Sequence, residues 1–439
     1  MATESGSALA EETFGWRHLL QKNVLVILLL GFSSGLPFPL VYSTLSVWLS
    51  QSGVELSTVS TFAWLGFAYS FKFLWAPLVD NIRLPILTKL LGRRRGWMFF
   101  AQLALVASLF FLSGMDPTQN IGAFAMVAAA VALSSATQDI VIDAYRIECA
   151  ETRMQGVLAA AYQYGYRTAM LISGAVALSI ADHAPWSVAY MAMAGCALIG
   201  VATTLWCKEP VETIERFAVA GANALERTAN WITHAVIDPF VDFLKRFGWF
   251  SIVLLAFISL YRLSDYVLGI LANPFYVDIG YSLTEIAVIA KGYGLWVGLA
   301  GIGLGGWGVI KFGVARCLVI ATILIASTNL FFAAMVIVGP EPWMLAVTIS
   351  ADNIAQGFSG TVLIAYLSSL TNLSFTATQY ALLSSFMSLL GKLTAGYSGN
   401  VQESIGWLGF FLYAAALGLP AIILAFVVAR RHDQLVGDR

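Results

Sequence analysis

Long apolar runs separated by short polar segments recur along the whole chain. Most exceed the roughly 20 residues that a helix needs to cross a hydrocarbon core of about 30 Å. The pattern predicts helices over 24–50, 57–79, 97–114, 121–145, 156–180, 186–206, 249–276, 284–308, 314–338, 342–368, 376–400 and 406–429. The basic residues sort between the connecting segments. Five of the 24 lysines and arginines lie inside the predicted helices. The others fall in the N-terminal tail, loops 79–96, 145–155 and 309–316, linker 207–248 and the tail 430–439, and the alternate loops carry none. By the positive-inside rule this predicts twelve spans with both termini cytoplasmic.

Composition agrees with an all-α integral membrane protein. Hydrophobic residues make up 59% and charged residues 11% of the 439 positions, against about 25% charged in soluble domains. The formal net charge of −1 gives no sign of a nucleic-acid partner. The expected surroundings are the lipid bilayer. Glu4, Glu11 and Glu12 precede the first apolar run, which is also too long for a signal-peptide core, so no cleavage is expected. Cys149, Cys196, Cys207 and Cys317 show no paired spacing and read as free thiols. His18, His183, His234 and His432 all fall in predicted loops, which argues against a metal cluster or a histidine proton relay at membrane depth. No cofactor is implied.

Linker 207–248 divides the chain into two expected bundles of six helices, 1–206 and 249–439. Its stretch "NWITHAVIDPFVDFLKRFGW" mixes aromatics with charges. It reads either as a helix lying on the inner membrane face or as a solvated connector. The halves echo one another: "GVELSTV" (53–59) aligns with "GYSLTEI" (280–286) at an offset of 227, and "DAYRI" (143–147) with "IAYLS" (364–368) at 221. Ser282 and Glu285 also have capping-box spacing. Two halves in one orientation suggest a parallel repeat about an axis along the membrane normal.

Charges within the spans carry the candidate chemistry. They are Lys72, Arg167, Arg262, Lys291 and Lys392 with Asp139, Asp265 and Asp352, and Asp143 lies near the inner boundary. Such groups are costly in hydrocarbon and ordinarily face a bundle interior or a water-filled path. Arg262 and Asp265 are three apart and share a helix face. They form either a self-neutralising pair or an arginine-controlled proton site. Gln163 and Arg167 share a face of "AYQYGYRTAM", flanked by Tyr162 and Tyr166, which suits a carboxylate and a sugar ring; the tyrosines read equally well as packed core. Asp352, Asn353 and Gln356 form a polar face in "SADNIAQG". The expected substrate-binding set is therefore Arg167, Arg262, Lys392, Tyr162, Tyr166, Gln163, Asp352, Asn353, Gln356, Lys72 and Lys291, with Asp265 or Asp139 carrying a proton. Asp80, Arg93, Arg94, Asp143, Arg146 and Arg153, joined by Glu148, cluster at the inner boundary and suit a salt-bridge gate. The surplus of basic groups favours an anionic substrate.

Pro37 and Pro39 in "GLPFP" predict a bend in the first helix, and "GYGLWVGLAGIGLGGWG" offers small residues for close helix contact. "GIGLGG" follows no strand and "GK" at 391–392 lacks the preceding glycine, so neither a dinucleotide fold nor an ATPase loop is present. No catalytic histidine, metal cluster or nucleophile–base pair lies at membrane depth, so an enzyme is not expected.

Loop 79–96, "DNIRLPILTKLLGRRRG", resembles the cytoplasmic loop signature of the major facilitator superfamily, in a longer form. "LGFSSGLPFPLVYSTLSVWL", "FKFLWAPLVD", "LGRRRGW", "SSATQDIVIDAYRIE", "YRLSDYVLGILANPFY" and "ADNIAQGFSGTVLIAYLSSLTNLSFTATQYALLSSFMSLLGK" together resemble the AmpG muropeptide permease family over about residues 25 to 400. The resemblance implies a monomeric, proton-driven importer in the inner membrane of a Gram-negative cell. Its cargo would be N-acetylglucosaminyl-anhydro-N-acetylmuramyl peptides for cell-wall recycling, with β-lactamase induction as an indirect consequence in some species. The alternatives are another anionic solute, such as the acetyl-CoA carried by eukaryotic relatives, or a receptor that binds without transport.

Overall fold

A computed structural model describes residues 21–211, 230 and 233–436, and among these every regular element is helical. The N-terminal tail, including His18, and most of the first half of the linker lie outside the described residues. Eight helical stretches are long and apolar enough to cross a membrane. Two bent pairs pass the same test jointly: Ser57–Ser70 with Lys72–Asn81, and Pro342–Leu370 with Leu373–Ala395. The helical run 155–183 is not among them, because Gln163, Arg167 and its tyrosines lower its hydropathy.

Several expected helices are broken, each for a local reason. The first runs as Lys22–Gly35, Pro37–Val41 and Ser43–Gln51. Pro37 and Pro39 lack the N–H that would continue the ladder, and their rings crowd the preceding turn. Residues 57–79, expected as one helix, alternate between short α-helical and 3₁₀ turns. The span expected over 249–276 is Phe250–Leu260 followed by Leu263–Ile279, and Arg262 sits in the break at φ −112°, ψ 16°. At the repeat offset of 227, Arg262 stands opposite Gly35, where the first helix ends. Leu36 keeps helical angles of φ −59° and ψ −45°, and the larger departure in the first helix lies at Tyr42, with φ −122° and ψ −97°.

The repeated glycines share a conformation. Gly53 has φ 79° and Gly280 φ 108°, the left-handed region that only glycine enters at little cost. The Ser282–Glu285 capping box is formed: the Ser282 amide donates to Glu285 at 2.9 Å and the Glu285 amide to Ser282 Oγ at 3.2 Å. Gly406 has φ 69° and kinks the stretch Ser398–Leu417, near the expected start of the last helix.

Packing follows the glycine faces. Cβ atoms added at Gly31 and Gly35 would run into the backbone of Tyr162 and Tyr166, and one at Gly165 into the Leu28 carbonyl. Helices Lys22–Gly35 and Gln155–Leu171 therefore touch backbone to backbone. The glycine-rich helix Gly294–Phe312 serves two neighbours. Gly301 and Gly305 abut Pro342–Leu370, while Gly303 and Gly306 abut Tyr164 and Ala160 of Gln155–Leu171. One buried apolar cluster draws wholly on residues before 207 and another wholly on residues after 248. Two further clusters join the halves, through Ile147 and Ala159 in one and Ala377 and Ala381 in the other.

In the linker, Asp238–Phe247 is an amphipathic helix that buries Pro239, Phe243 and Phe247 and exposes Leu244. Three histidines depart from the loop expectation, His183 as the last residue of helix Ala177–His183. His234 lies on the helical turn Thr233–Ile237. His432 lies in the last helix, buried with its ring 5.7 Å from that of Tyr366. The four cysteines are free thiols.

Candidate functional site: a central cavity and a closed basic end

The intramembrane charges fall into three groups. In the first, helix Gln155–Leu171 turns Arg167 toward Asn353 and Gln356 of Pro342–Leu370, and these three line one pocket floored by Gly298 and Gly357. The small floor follows from the glycine contact between helices Gly294–Phe312 and Pro342–Leu370. Among the described residues no carboxylate lies within ion-pair distance of Arg167, although Arg262, Asp265 and Asp352 all act on it electrostatically. Asp352 is buried and accepts a 2.8 Å hydrogen bond from the Gln356 amide. Arg262 donates to Asp265 Oδ2 through Nε at 3.0 Å and Nη2 at 2.5 Å, the pairing that three-residue spacing permits. Gln163 reaches the other half too: a Cβ added at Gly360 would lie 2.5 Å from Gln163 Nε2.

The second group lies largely before residue 207. Ser34 donates to Asp139 and lies 2.7 Å from the Tyr162 hydroxyl. Tyr162 is thus buried with its hydroxyl committed to this network, and the Tyr166 ring packs beside it, tilted by 34° with centroids 6.0 Å apart. Lys72 pairs with Asp143 at 3.5 Å and acts electrostatically on Asp139 and Lys392. Lys392 crosses between the halves to donate to Ser70 Oγ at 2.7 Å. Lys291 is not brought to the pocket; it is exposed and donates to Asn273 at 2.9 Å.

The third group closes the end bearing the basic loops. Arg94 is fully buried between Asp80, at 2.8 Å, and Glu148, at 2.9 Å from Nε and 2.5 Å from Nη2. Arg93 donates to the Asp80 carbonyl at 2.8 Å. Asp80 then reaches across the molecule to the start of helix Thr376–Ala395. It accepts from the Ala377 amide at 3.3 Å, the Thr378 amide at 2.8 Å and Thr378 Oγ1 at 2.7 Å. Those amides are donors that no helical turn satisfies, and a carboxylate there also meets the positive end of the helix dipole. Arg146, fully buried, donates to Ser368 Oγ at 2.9 Å, lies 3.6 Å from Asp143 and stacks over the Tyr380 ring. Arg153 does not join this cluster; it pairs with Glu151 on the surface.

Sequence reasoning missed two contributors. Glu209 accepts the Arg94 and Arg95 amides at 2.7 and 2.9 Å, capping helix Arg93–Ser113 after a turn at Gly92 with φ 94°. Burial pushes its carboxyl above the usual value, against the pull of those two bonds. Asp242 of the linker helix accepts from Arg246 at 2.9 Å, Gln379 at 2.8 Å and Asn372 at 3.2 Å, which moors the linker beside the same helix start. Only an acidic residue just after a span and the amphipathic pattern of the linker hinted at either.

Comparison with known proteins agrees with this architecture. Residues 23–193 match the family model described as Acetyl-coenzyme A transporter 1. A Rickettsia felis protein named as transporter AmpG 4 is 34% identical over 407 residues, covering 92% of this chain and 96% of that one. The anhydromuropeptide permease of Escherichia coli is 33% identical over 405 residues, covering 92% and 79%. Among solved structures, the proton:xylose symporter XylE of the major facilitator superfamily superposes with a TM-score of 0.64 at 14% identity, covering 92% of this chain and 93% of that one. The human organic anion transporter MFSD10 gives a TM-score of 0.59 at 15% identity, covering 93% and 99%. The fold is thus that of the major facilitator superfamily, the protein is a multi-pass membrane transporter and not an enzyme, and the chain belongs to the AmpG family.

Proposed function

We propose that this protein is a proton-coupled importer of anhydromuropeptides across the bacterial inner membrane. It works as a monomer of twelve spans, with bundles 1–206 and 249–439 rocking about a central site and both termini cytoplasmic. The observation that carries the reading is Arg167. A guanidinium with no carboxylate partner among the described residues, in a pocket built from both halves, is a standing site for an anion, and the peptide stem of a muropeptide supplies carboxylates. Asn353, Gln356 and Gln163 add amides suited to acetamido and hydroxyl groups.

In this reading the basic end is the cytoplasmic gate, held shut by Asp80, Arg94, Glu148 and Arg146, and the structure represents the state closed to the cytoplasm. Proton coupling requires an intramembrane carboxylate that can ionise during the cycle. Of the two sequence candidates, Asp265 is matched by Arg262 and Asp139 is held by Ser34 with Lys72 nearby.

Proteoliposomes loaded with unlabelled anhydromuropeptide should exchange it for labelled ligand outside, and Arg167→Gln should abolish that exchange while the protein stays folded. Binding without exchange would identify a receptor instead. The match of residues 23–193 to an acetyl-CoA transporter model favours one second reading, an acyl-CoA-like anion. Competition by acetyl-CoA but not by the muropeptide would establish it.

A further inference from the structure

We infer that Asp352, rather than Asp265 or Asp139, is the carboxylate whose protonation opens the Arg167 site to an anion. The inference rests on the transporter reading and assigns its coupling step. Asp352 is buried in the same helix face that supplies Asn353 and Gln356 to the pocket. Among the described residues it receives one hydrogen bond, from Gln356, and no cation lies within ion-pair distance. Asp265 differs, because it is already engaged by Arg262 through two hydrogen bonds. Asp139 sits in a separate network with Ser34, Tyr162 and Lys72.

The groups facing Asp352 come from each neighbouring element. Arg167 faces it from Gln155–Leu171, Arg262 and Asp265 from the break before Leu263–Ile279, and Tyr276 from that helix. Tyr293, at the end of Ile286–Tyr293, is bonded to Ser350. The charged residues of Gly294–Phe312 and Val314–Val338, Lys311 and Arg316, lie at the basic end of those helices. On Thr376–Ala395, Tyr380 stacks with Arg146 and Lys392 is bonded to Ser70. Of the two cations that act on Asp352, Arg262 is paired with Asp265, and Arg167 has no carboxylate partner among the described residues.

Two potential ion-pair partners are thus held near each other but unpaired. A proton on Asp352 leaves Arg167 available to the carboxylate of a substrate. When the proton leaves, the Asp352 carboxylate competes for Arg167 and displaces that substrate. No covalent bond changes: one proton enters and leaves with one anion. Binding and protonation then favour each other, as linkage requires of a symporter.

The test begins without any substrate. Dicyclohexylcarbodiimide, which modifies protonated carboxyl groups within membranes, should label the peptide containing Asp352 in reconstituted protein, less so as pH rises, and not in Asp352→Asn. Absence of label at Asp352 overturns the inference, whatever the substrate proves to be. With labelled anhydromuropeptide, Asp352→Asn should lose gradient-driven accumulation by about tenfold or more and bind ligand independently of pH. Asp352→Glu should restore the pH dependence. Gradient-driven accumulation by Asp352→Asn at the wild-type level would also overturn the inference. If wild-type protein binds no muropeptide yet Asp352 is labelled in this pH-dependent way, the substrate reading fails and the proton site stands.

Discussion

Replacing Asp80 by asparagine should loosen the closed basic end without unfolding the protein. Asp80 makes three hydrogen bonds across the molecule, to the Ala377 amide, the Thr378 amide and Thr378 Oγ1, and all three must break if this end opens. Asparagine keeps the shape but has one acceptor oxygen in place of two, and it carries no charge. A hydrogen bond to a charged group contributes about 1.5–3 kcal/mol against about 1 kcal/mol for a neutral one. An anion at a partly buried helix terminus contributes up to about 2 kcal/mol, part of it the same electrostatic energy. A net loss of about 2 kcal/mol shifts the closed-to-open ratio about 30-fold. Spin labels at the exposed residues Leu90 and Arg316, in a background without the native cysteines, would report the change in nanodiscs as a longer inter-label distance. Thr378→Val, which removes only the hydroxyl bonded to this carboxylate, should shift the ratio about tenfold. An unchanged distance distribution in Asp80→Asn would refute the idea that this carboxylate holds the gate.

The Arg262–Asp265 pair can be judged by a double-mutant cycle. Asp265→Asn alone should cost about 1–3 kcal/mol by leaving the part-buried Arg262 guanidinium unpaired, while Arg262→Gln with Asp265→Asn should cost less. Thermal unfolding measures the difference, and full transport by the double mutant would make the pair structural. Gly165→Ala should destabilise the protein by about 1–3 kcal/mol, because its methyl would enter the Leu28 carbonyl rather than a movable side chain. A melting temperature equal to wild type would show that the two helices can part without loss. Glu209 gives a pH prediction. Its carboxyl is pushed above the ordinary 4.5 by burial, so its contribution to stability is full below pH 4.5 and is lost as pH rises through the raised value. Glu209→Gln should flatten the fall in melting temperature over that interval, and an unaltered slope would contradict it.

Much of the protein follows from local pattern. Apolar runs set the membrane class, and three- and four-residue spacings placed Arg262 with Asp265 and Asp352 with Gln356 on shared helix faces. Such relations depend only on helical period and survive any change of neighbours. The bend at Pro37 and Pro39 and the Ser282–Glu285 box are equally local. The break at Arg262 was not legible, since no proline or glycine marks it.

Which groups meet across the molecule had no signal in the sequence. Asp80 finds its amides almost 300 residues away, at separations of 297 and 298, and Glu209 caps a helix 115 residues before it. Tyr162 read equally as a sugar-facing ring or packed core and is buried beside Ser34, and Lys291 read as part of the site but lies outside the pocket. Periodicity fixes which residues share a face; the rotation of that face is set by where glycine backbones let two helices approach. At Gly165 and Gly31 that approach orients the helix bearing Arg167, and at Gly301 and Gly305 it orients the helix bearing Asp352. The sequence by itself determined that this protein is helical, membrane-embedded and charged at its centre. Tertiary packing alone decided that Arg262 is matched while Arg167 and Asp352 are not, because an ion pair across helices depends on angles and distances that no single helix encodes.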